Sequence, residues 1–385
     1  MRKIIKKLKK IIIIMLILAI PQISFTGCMN QVELEKLAVI LAIGFDLDND
    51  DNYIVSIQII NTNTDISGSS KVNNYIAEGT SIFDALTNLY KEIGERLNYS
   101  HIQYIVIGDS MARKGIAPII DFSLRYSEVR PTTPFLVTNG DAKDIVSANV
   151  STDTMSAFSV TNLLNLQRNR GETAFTTNLN LVNSMNHGSK STTCGLINML
   201  PSKLDKNKNY DLSGAAVFKE DKLVGYLTDK ETLGFNWIRG NITAAIIAVE
   251  YPDHKKMSLD VTSASKKTDI KINKNHINIT VNIKVQSGIR EMTGDIDPNN
   301  NPSIMDKISE RQNQVIYKDV YMVINKAQKD FGLDIFDFGT EISREYPNQW
   351  DYMSKDWNTI FKNLKINANI NSQVNKTGVI SKPPL

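Results

Sequence analysis

Apolar positions recur with two different periods in the first part of the chain, which predicts both strands and helices there. Val39–Phe45 and Tyr53–Ile60 are apolar runs rich in β-branched residues, and the acidic, Asn-containing turn between them predicts a β-hairpin. From Ser81 to Leu97, apolar residues recur every three or four positions, as in an amphipathic helix. Residues 61–75 are polar and predict a mobile loop. The pattern also predicts two further strands and two further helices, which are strands His101–Ile107 and Phe135–Thr138 and helices Ser110–Tyr126 and Ala142–Ala148.

The remaining sequence continues the same mixture of elements. It predicts a helix at Ser156–Arg168, a strand around Cys194, and a hairpin of Leu212–Phe218 with Leu223–Leu227. A long helical pattern, Ser303–Phe331, follows four runs typical of strands, which are Thr243–Glu250, Met257–Ser263, Thr268–Ile272 and His276–Val285. Apolar and polar residues alternate strictly in Leu364–Val374, which predicts an antiparallel strand over a helix layer.

Together these elements predict an α+β fold with three mixed domains, each a mainly antiparallel sheet with helices packed on it. Residues 28–385 number about 358, which is too many for a single hydrophobic core and suits two or three domains. We expect an N-terminal α+β domain at residues 28–150 and a middle α+β domain at residues 151–240. A C-terminal α+β domain, residues 241–385, would carry the long helix on its sheet.

Residues 1–27 predict a lipoprotein signal peptide. A basic segment without acids, Met1–Lys10, precedes an apolar run, Ile11–Ile20, which is shorter than the roughly 20 residues that a membrane span needs. Phe25-Thr-Gly-Cys28 then offers small residues before a cysteine, although such signals usually carry Leu where this chain has Phe25. Cys28 is therefore the predicted lipid attachment site and mature N-terminus. A plain secretory signal or an uncleaved anchor remain the alternatives.

The leader also accounts for the basic balance of the chain. The full sequence has 44 Lys and Arg against 41 Asp and Glu, and six of the basic residues precede Cys28. The mature chain is thus mildly acidic, which argues against a nucleic-acid partner and leaves membrane attachment to lipid. Once Cys28 is acylated, Cys194 has no cysteine with which to form an intrachain disulfide, and we expect it to be a small buried hydrophobe.

Motifs for catalysis, metals or cofactors are not evident in the sequence. Asp46-x-Asp48-x-Asp50 resembles the start of a calcium loop, but Asp51 stands where that loop needs Gly and Ile57 where it needs Glu. Asp295–Pro302 fails in the same way and predicts a polar turn. The four histidines share no metal-ligand spacing; they are His101, His187, His254 and His276. We therefore expect a protein that is not an enzyme, with no catalytic residue, metal site or cofactor.

Several blocks of the sequence, in a fixed order behind the lipid cysteine, resemble those of one family. The blocks are Glu33–Asp46, His101–Gly108 with Ala112–Ile116, Leu124–Pro131, Leu212–Thr228 with Glu231–Gly234, Asp334–Gly339 and Tyr346–Trp350. They are similar to those of the Ger(x)C family, the C-subunit lipoproteins of bacterial spore germinant receptors. One departure is Met29, where the family commonly has Trp.

The resemblance implies a non-catalytic, lipid-anchored C subunit of a nutrient germinant receptor, required for spore germination. Such a subunit would lie on the outer face of the spore inner membrane, held by palmitate or a similar lipid. It would assemble with the integral-membrane A and B subunits, to which nutrient sensing mainly belongs. One alternative is an extracytoplasmic solute-binding lipoprotein, although such proteins usually have two doubly wound α/β lobes, which the strand runs after residue 243 do not suggest. The other is a lipid-anchored cell-wall hydrolase, which would need a paired acid or a metal constellation that is not evident in the sequence.

Two sets of residues receive specific predictions. Trp350, Trp357 and Phe361 follow one another at steps of seven and four residues, which places them on one helix face, and we expect them in the core. Tyr226 and Arg239 are predicted to contact another subunit if they are exposed, because aromatic and Arg side chains carry much of the energy of protein interfaces.

Overall fold

The computed structural model of this chain describes residues 2–24, 37–60, 72–148, 156–167, 170–186, 191–201, 208–251, 255–273, 276–292 and 302–376. The chain divides into two units, Met1–Leu37 and Ala38–Leu385. In the first unit, helix α1 spans Arg2–Ser24 and continues past Pro21, where the apolar run was expected to end. No helix in the described ranges is long and apolar enough to cross a membrane. Cys28, the predicted lipid attachment site, lies outside these ranges.

The predicted N-terminal hairpin is present as the start of a large sheet. Strands β1 (Leu37–Leu47) and β2 (Tyr53–Ile60) pair antiparallel, and β2 pairs antiparallel with β3 (Val72–Gly79). The loop predicted for residues 61–75 is therefore wrong for its last four residues, which belong to β3; residues 61–71 lie outside the described residues. Because β3 is an edge strand with no fully buried residue, its sequence is polar and resembles a loop.

Parallel strands form the centre of the same sheet. Strand β4 (Arg96–Asn98) pairs with β1, while β5 (Tyr104–Ile107) is parallel to β1, β6 (Phe135–Val137) is parallel to β5, and β7 (Ser191–Pro201) is parallel to β6. All residues of β5 and β6 are buried, as in parallel strands covered on both faces. The sheet is thus mixed, with parallel pairs at its centre and antiparallel pairs towards both edges, and the predicted α+β class is confirmed.

The second predicted hairpin completes the sheet. Strands β8 (Lys208–Lys219) and β9 (Lys222–Leu227) pair antiparallel with each other, and β8 pairs antiparallel with β7. The described strands run in the order β3-β2-β1-β5-β6-β7-β8-β9. Strands on both sides of residue 150 share this sheet, so the division into three domains stays a prediction.

Helices cover both faces of this first sheet. One face packs against α2 (Ile82–Ile93), α3 (Asp109–Lys114), α4 (Ala117–Arg125) and α7 (Asn178–Asn186), and the other against α5 (Ala142–Val146) and α6 (Ser156–Gln167). The side chain of Ser81 caps α2, which ends at Gly94, short of the predicted Leu97. The single helix predicted over Ser110–Tyr126 is two helices, because the chain turns at Gly115 with φ 139°.

A second, four-stranded sheet follows helix α8 (Asp229–Arg239). Its strands are β10 (Ala245–Tyr251), β11 (Lys255–Asn273), β12 (His276–Met292) and β13 (Lys365–Lys376), in that order. Two of the predicted runs, Met257–Ser263 and Thr268–Ile272, are parts of one strand, β11. The antiparallel prediction for the last strand is wrong, because β13 returns after a helical crossover and pairs parallel with β12. The alternation of apolar and polar residues in β13 reflects the burial of one face of the strand and does not indicate its direction.

The long predicted helix is confirmed and lies against this sheet. Helix α9 spans Pro302–Asn325 and continues as a π-helical turn over Lys326–Phe331. Buried residues of α9, such as Ile316 and Val320, share one core with residues of β12. Three short helices precede β13, with a 3₁₀ turn at Ser354–Asp356; they are α10 (Phe338–Glu345), α11 (Pro347–Met353) and α12 (Trp357–Lys362).

Candidate functional sites

Asp46 is a buried carboxylate at the end of β1, in the first block that resembles the family. It is 1% exposed, and its two oxygens accept hydrogen bonds from the backbone N–H groups of Ala142 at 2.7 Å and Lys143 at 2.9 Å, where α5 begins. Burial raises the pKa of Asp46 to about 6, against the lowering effect of these two hydrogen bonds. A Cβ atom at Gly108, which follows β5, would lie 1.9 Å from Asp46 Oδ1. The block that ends at Gly108 therefore meets the first block at a structural junction.

The segment Asp46–Asp50, whose resemblance to a calcium loop is incomplete, leads into the turn between β1 and β2. Asp48 accepts hydrogen bonds from the backbone N–H groups of Asp50 and Asn52, both at 2.8 Å, and from the Asn52 side chain. Its pKa is lowered, chiefly by the hydrogen bonds from Asn52. This carboxylate closes the β1–β2 turn, as an Asx-type turn residue does.

Asp334 is a second buried carboxylate, in the C-terminal block. It is 0% exposed and accepts hydrogen bonds from Phe336 N at 3.1 Å, Gly339 N at 2.7 Å and Trp357 Nε1 at 3.0 Å. Burial raises the pKa of Asp334 to about 6, although the hydrogen bonds from Gly339 and Trp357 lower it. The block Asp334–Gly339 thus folds around its own carboxylate, together with Trp357, which lies outside the blocks that resemble the family.

The predicted aromatic core is confirmed in part. Trp357 is 2% exposed and Phe361 is 0% exposed, both within the core of the second sheet. Trp350 is only half-buried and packs edge-on against Trp357, with ring centroids 5.3 Å apart. The prediction that the three residues share one helix face is wrong. Trp350 lies in α11 and Trp357 begins α12, with the 3₁₀ turn between them. Gly339 lies in the first turn of α10, where a Cβ would approach both Trp rings to within 3 Å.

The two residues predicted as subunit contacts already have partners within the chain. The Tyr226 hydroxyl donates to Asp109 Oδ1 at 2.7 Å, and burial raises the pKa of this tyrosine. Arg239 donates to the carbonyl of Phe336 at 2.7 Å and forms an ion pair with Asp337 at 3.3 Å. A contact role for Tyr226 or Arg239 therefore stays a prediction.

An apolar groove of 370 Å³, which the sequence did not predict, lies between α2, β4 and the end of α4. Phe83 and Tyr90 border it and are 67% and 52% exposed. They stand seven residues apart on α2, a spacing that places both on one side of the helix. The other lining residues are Leu86, Thr87, Arg96, Leu97, Tyr99, Arg125, Tyr126, Ser127 and Glu128. We call this feature the aromatic groove.

A polar cleft of 280 Å³ lies where β7 and α7 approach the end of α8 and the start of α10. Two arginines line it, Arg239 with its partner Asp337, and Arg344, which has no ion-pair or hydrogen-bond partner among the described residues. Amide and hydroxyl side chains complete the lining, which includes Asn180, Asn183, Asn241, Thr192 and Thr193. We call this feature the polar cleft.

Groups suited to metal binding do not converge in the part of the chain that the structure describes: no three His, Cys, Asp or Glu side chains there could hold an ion. His101 and His276 are exposed, and His187, His254 and the turn Asp295–Pro302 lie outside those ranges. Cys194 is buried as predicted, and burial raises the pKa of its thiol to about 12, which leaves it protonated. The prediction of no metal, cofactor or enzyme activity stays a prediction.

Two family models match this chain one after the other. The first is described as a spore germination protein N-terminal domain and matches residues 30–199. The second, described as spore germination B3/GerAC like, C-terminal, matches residues 213–378. Together they cover both sheets.

Curated relatives match along almost their whole length. Spore germination protein KC of Bacillus subtilis (strain 168) is 26% identical, over 94% of each chain. Spore germination protein B3 of the same organism is 21% identical, over 94% of this chain and 96% of its own. A solved structure titled as the crystal structure of the GerBC protein superposes with a TM-score of 0.57 at 15% identity, covering 86% of this chain and 96% of that one. The likeness to that structure shows a shared fold.

Proposed function

Because this chain belongs to the spore germination GerAC-like family, also called Ger(x)C, we propose that it is the lipid-anchored C subunit of a nutrient germinant receptor. The observation that carries the proposal is the order of the matches, with the N-terminal model and then the C-terminal model within one chain behind Cys28. The subunit is non-catalytic in this proposal and required for spore germination. It acts by assembling with the integral-membrane A and B subunits.

Membrane attachment in this proposal comes from a lipid on Cys28. The mature chain is mildly acidic and gains no electrostatic attraction to an anionic membrane. Two or three acyl chains suffice, since each buried methylene contributes about 0.8 kcal/mol. Eight residues separate Cys28 from Leu37, and an extended chain spans at most about 3.6 Å per residue step, so the nine steps would place Leu37 within about 32 Å of the lipidated residue. The location is then the outer face of the spore inner membrane.

The two cysteines offer a matched test of this anchor. We expect Cys28→Ala to move the protein from the detergent phase to the aqueous phase in detergent phase partitioning. Cys194→Ala is the control, because Cys194 is a buried, protonated thiol and its loss should leave partitioning unchanged. Detergent partitioning of Cys28→Ala equal to that of the parent protein would contradict a lipid on Cys28.

We place the contact with a membrane subunit at the aromatic groove. Phe83 and Tyr90 expose apolar surface there, and exposed apolar patches with aromatic residues are typical of protein interfaces. Arg96 and Arg125 also line the groove, each in an ion pair within the chain, with Glu128 at 3.4 Å and with Asp121 at 2.7 Å. The groove belongs to the first sheet, whose first strand follows the short tether from Cys28. The proposed occupant is an apolar segment of the A subunit near the membrane surface.

This contact can be tested by replacing the exposed aromatics. The double variant Phe83→Ser with Tyr90→Ser should lose co-purification with the A subunit from spore membranes, with an unchanged melting temperature. Tyr352→Ser is the control, since Tyr352 is 87% exposed on α11, away from the groove. Equal recovery of the A subunit with the double variant and with Tyr352→Ser would exclude the aromatic groove as the contact.

The alternative, a solute-binding lipoprotein, receives less support from the topology. Such proteins usually have two doubly wound α/β lobes, in which the strand order reverses at a switch point. In the second sheet the described strands follow one another in chain order, β10-β11-β12-β13. This arrangement favours the receptor subunit.

A further inference from the structure

We propose that the polar cleft binds a small, polar organic carboxylate. This binding site goes beyond the proposed assembly function, because it lies far along the chain from the aromatic groove and uses different residues. The carboxylate would pair with the guanidinium group of Arg344, while the amides and hydroxyls around it would bind the polar remainder of the solute.

The charges in the cleft favour an anion. Arg239 and Arg344 supply two positive charges, and Asp337 neutralises one of them through its ion pair with Arg239 at 3.3 Å. Arg239 is also held by the carbonyl of Phe336. Arg344 is exposed and has no ion-pair partner among the described residues, and an arginine can bind a carboxylate through two parallel hydrogen bonds.

Some polar side chains of the cleft have no hydrogen-bond partner among the described residues, whereas those of Thr176, Ser184 and Asn241 form hydrogen bonds within the chain. Among the described residues, the side chains of Asn180 and Asn183 form no hydrogen bond, and neither do the hydroxyls of Thr192 and Thr193. The two threonine residues are 8% and 7% exposed, and because neighbouring residues of a strand face opposite sides of the sheet, at most one of the two hydroxyls lies on each side of β7. Polar side chains without a partner in the chain can form hydrogen bonds with a polar solute in the cleft.

A second polar cavity differs, because polar side chains that line it form hydrogen bonds with one another. It has a volume of 540 Å³ and lies on the open face of the second sheet. There Asn369 donates to Asn282 at 3.0 Å, and Asn282 donates to Asp269 at 2.7 Å. Because these amides pair with one another, a solute would have to break existing hydrogen bonds. In the polar cleft, the side chains of Arg344, Asn180 and Asn183 have no hydrogen-bond partner among the described residues, so a solute that binds them breaks no hydrogen bond described there.

The volume limits the size of the solute. Sites for drug-sized ligands have volumes of roughly 300–1,000 Å³, so a cleft of 280 Å³ suits a smaller molecule. The lining is mainly polar, with Phe175, Phe235 and Ile335 as its large apolar members. An amino acid or a hydroxy acid fits this description in both size and polarity.

The test is a binding measurement on the full-length protein in detergent. Isothermal titration with the standard amino acids, L-lactate, L-malate and gluconate should find at least one saturable ligand. Arg344→Gln should weaken the binding of that ligand by about 10- to 100-fold, the usual effect of losing a pair of charge-assisted hydrogen bonds. Arg311→Gln is the control, since Arg311 is an exposed arginine on α9 outside the cleft, and it should bind as the parent does.

Three results would overturn the proposal. The first is that no carboxylate in the panel binds. The second is that the ligand binds Arg344→Gln as tightly as the parent. The third is that inorganic phosphate or the neutral amide of the ligand binds as tightly, which would mean that the cleft does not recognise a carboxylate. None of these results bears on assembly with the A subunit, so the proposed function is tested separately.

Discussion

Asp46 in the first sheet and Asp334 in the second half of the chain are both buried carboxylates that join segments of the chain. They differ in the number of hydrogen-bond donors that they accept from. Asp46 accepts two backbone hydrogen bonds from a helix start 96 and 97 positions away. Asp334 accepts three hydrogen bonds, of which two come from its own loop and one from the indole of Trp357. Both lie in blocks that resemble the family. The comparison teaches that these blocks hold distant segments together, while most residues of the aromatic groove and of the polar cleft lie outside them.

The largest effect on stability is expected at the junction with more donors. Asp334→Ala leaves two backbone N–H groups and the indole N–H of Trp357 buried without acceptors, and it should lower the free energy of unfolding by about 3–5 kcal/mol. Asp330→Ala is the control, because Asp330 is exposed nearby. Chemical denaturation measures both variants. Equal stabilities of the two would remove the structural role assigned to Asp334.

The two tryptophans beside Asp334 sharpen the comparison. Trp350 is half-buried and Trp357 is fully buried, so Trp350→Ala should cost about 1–3 kcal/mol and Trp357→Ala about 3–5 kcal/mol. Thermal unfolding of both variants gives the ranking. If Trp350→Ala leaves the melting temperature unchanged and germination is lost, Trp350 is a contact residue instead.

At Asp46, the critical feature is that the backbone of Gly108 lies close to the Asp46 carboxylate. Gly108→Ala should lower the free energy of unfolding by about 1–3 kcal/mol, because the new methyl group would overlap Asp46 Oδ1. Asp46→Ala removes that oxygen, so the double variant should cost less than the sum of the two single variants. Gly140→Ala is the control, since a Cβ atom there meets no neighbour. Additive single effects would show that the two residues do not clash.

Most secondary-structure elements could be predicted from the sequence because their periodicity is local. The hairpin of β1 and β2 and the long helix α9 are confirmed near their predicted bounds. Strand direction could not be predicted in the same way. Apolar and polar residues alternate in β13, as in an antiparallel strand with one face exposed to solvent, yet β13 pairs parallel with β12. Strand β3 was missed because an edge strand needs few apolar residues.

The candidate sites were harder to predict than the fold. Tyr226 and Arg239 were chosen for residue type alone, and their partners, Asp109 and Asp337, come from elements distant in the sequence. Phe83 and Tyr90 carried the one available signal, two aromatics seven residues apart on the outer side of a helix. The polar cleft had no local signal, because its groups come from four separate segments.

The smallest effect is expected at Asp319, a third buried carboxylate, which has no hydrogen-bond donor among the described residues. Burial raises its pKa from 3.8 to about 6, although Lys230 and Lys318 lower it and Asp229 raises it further. The folded state therefore binds this proton more tightly than the unfolded state. The resulting stability is fully present below pH 3.8 and is lost as the pH rises through about 6.

Asp319→Asn should remove this dependence without changing the shape of the side chain. We expect a higher melting temperature than the parent at about pH 7.5 and a nearly equal one at about pH 4, by the linkage of proton binding to folding. Asp330→Asn serves as the exposed control. A lower melting temperature for Asp319→Asn at the higher pH would mean that the charged carboxylate is stabilising in the folded state.

The most direct test of the central claim, that this chain is a receptor subunit, is the abundance of the A subunit in spores that lack this protein. The account predicts that the A subunit is depleted and that the response to the receptor's nutrient is lost, while agents that bypass receptors still trigger germination. A normal level of the A subunit together with a normal nutrient response would contradict the account.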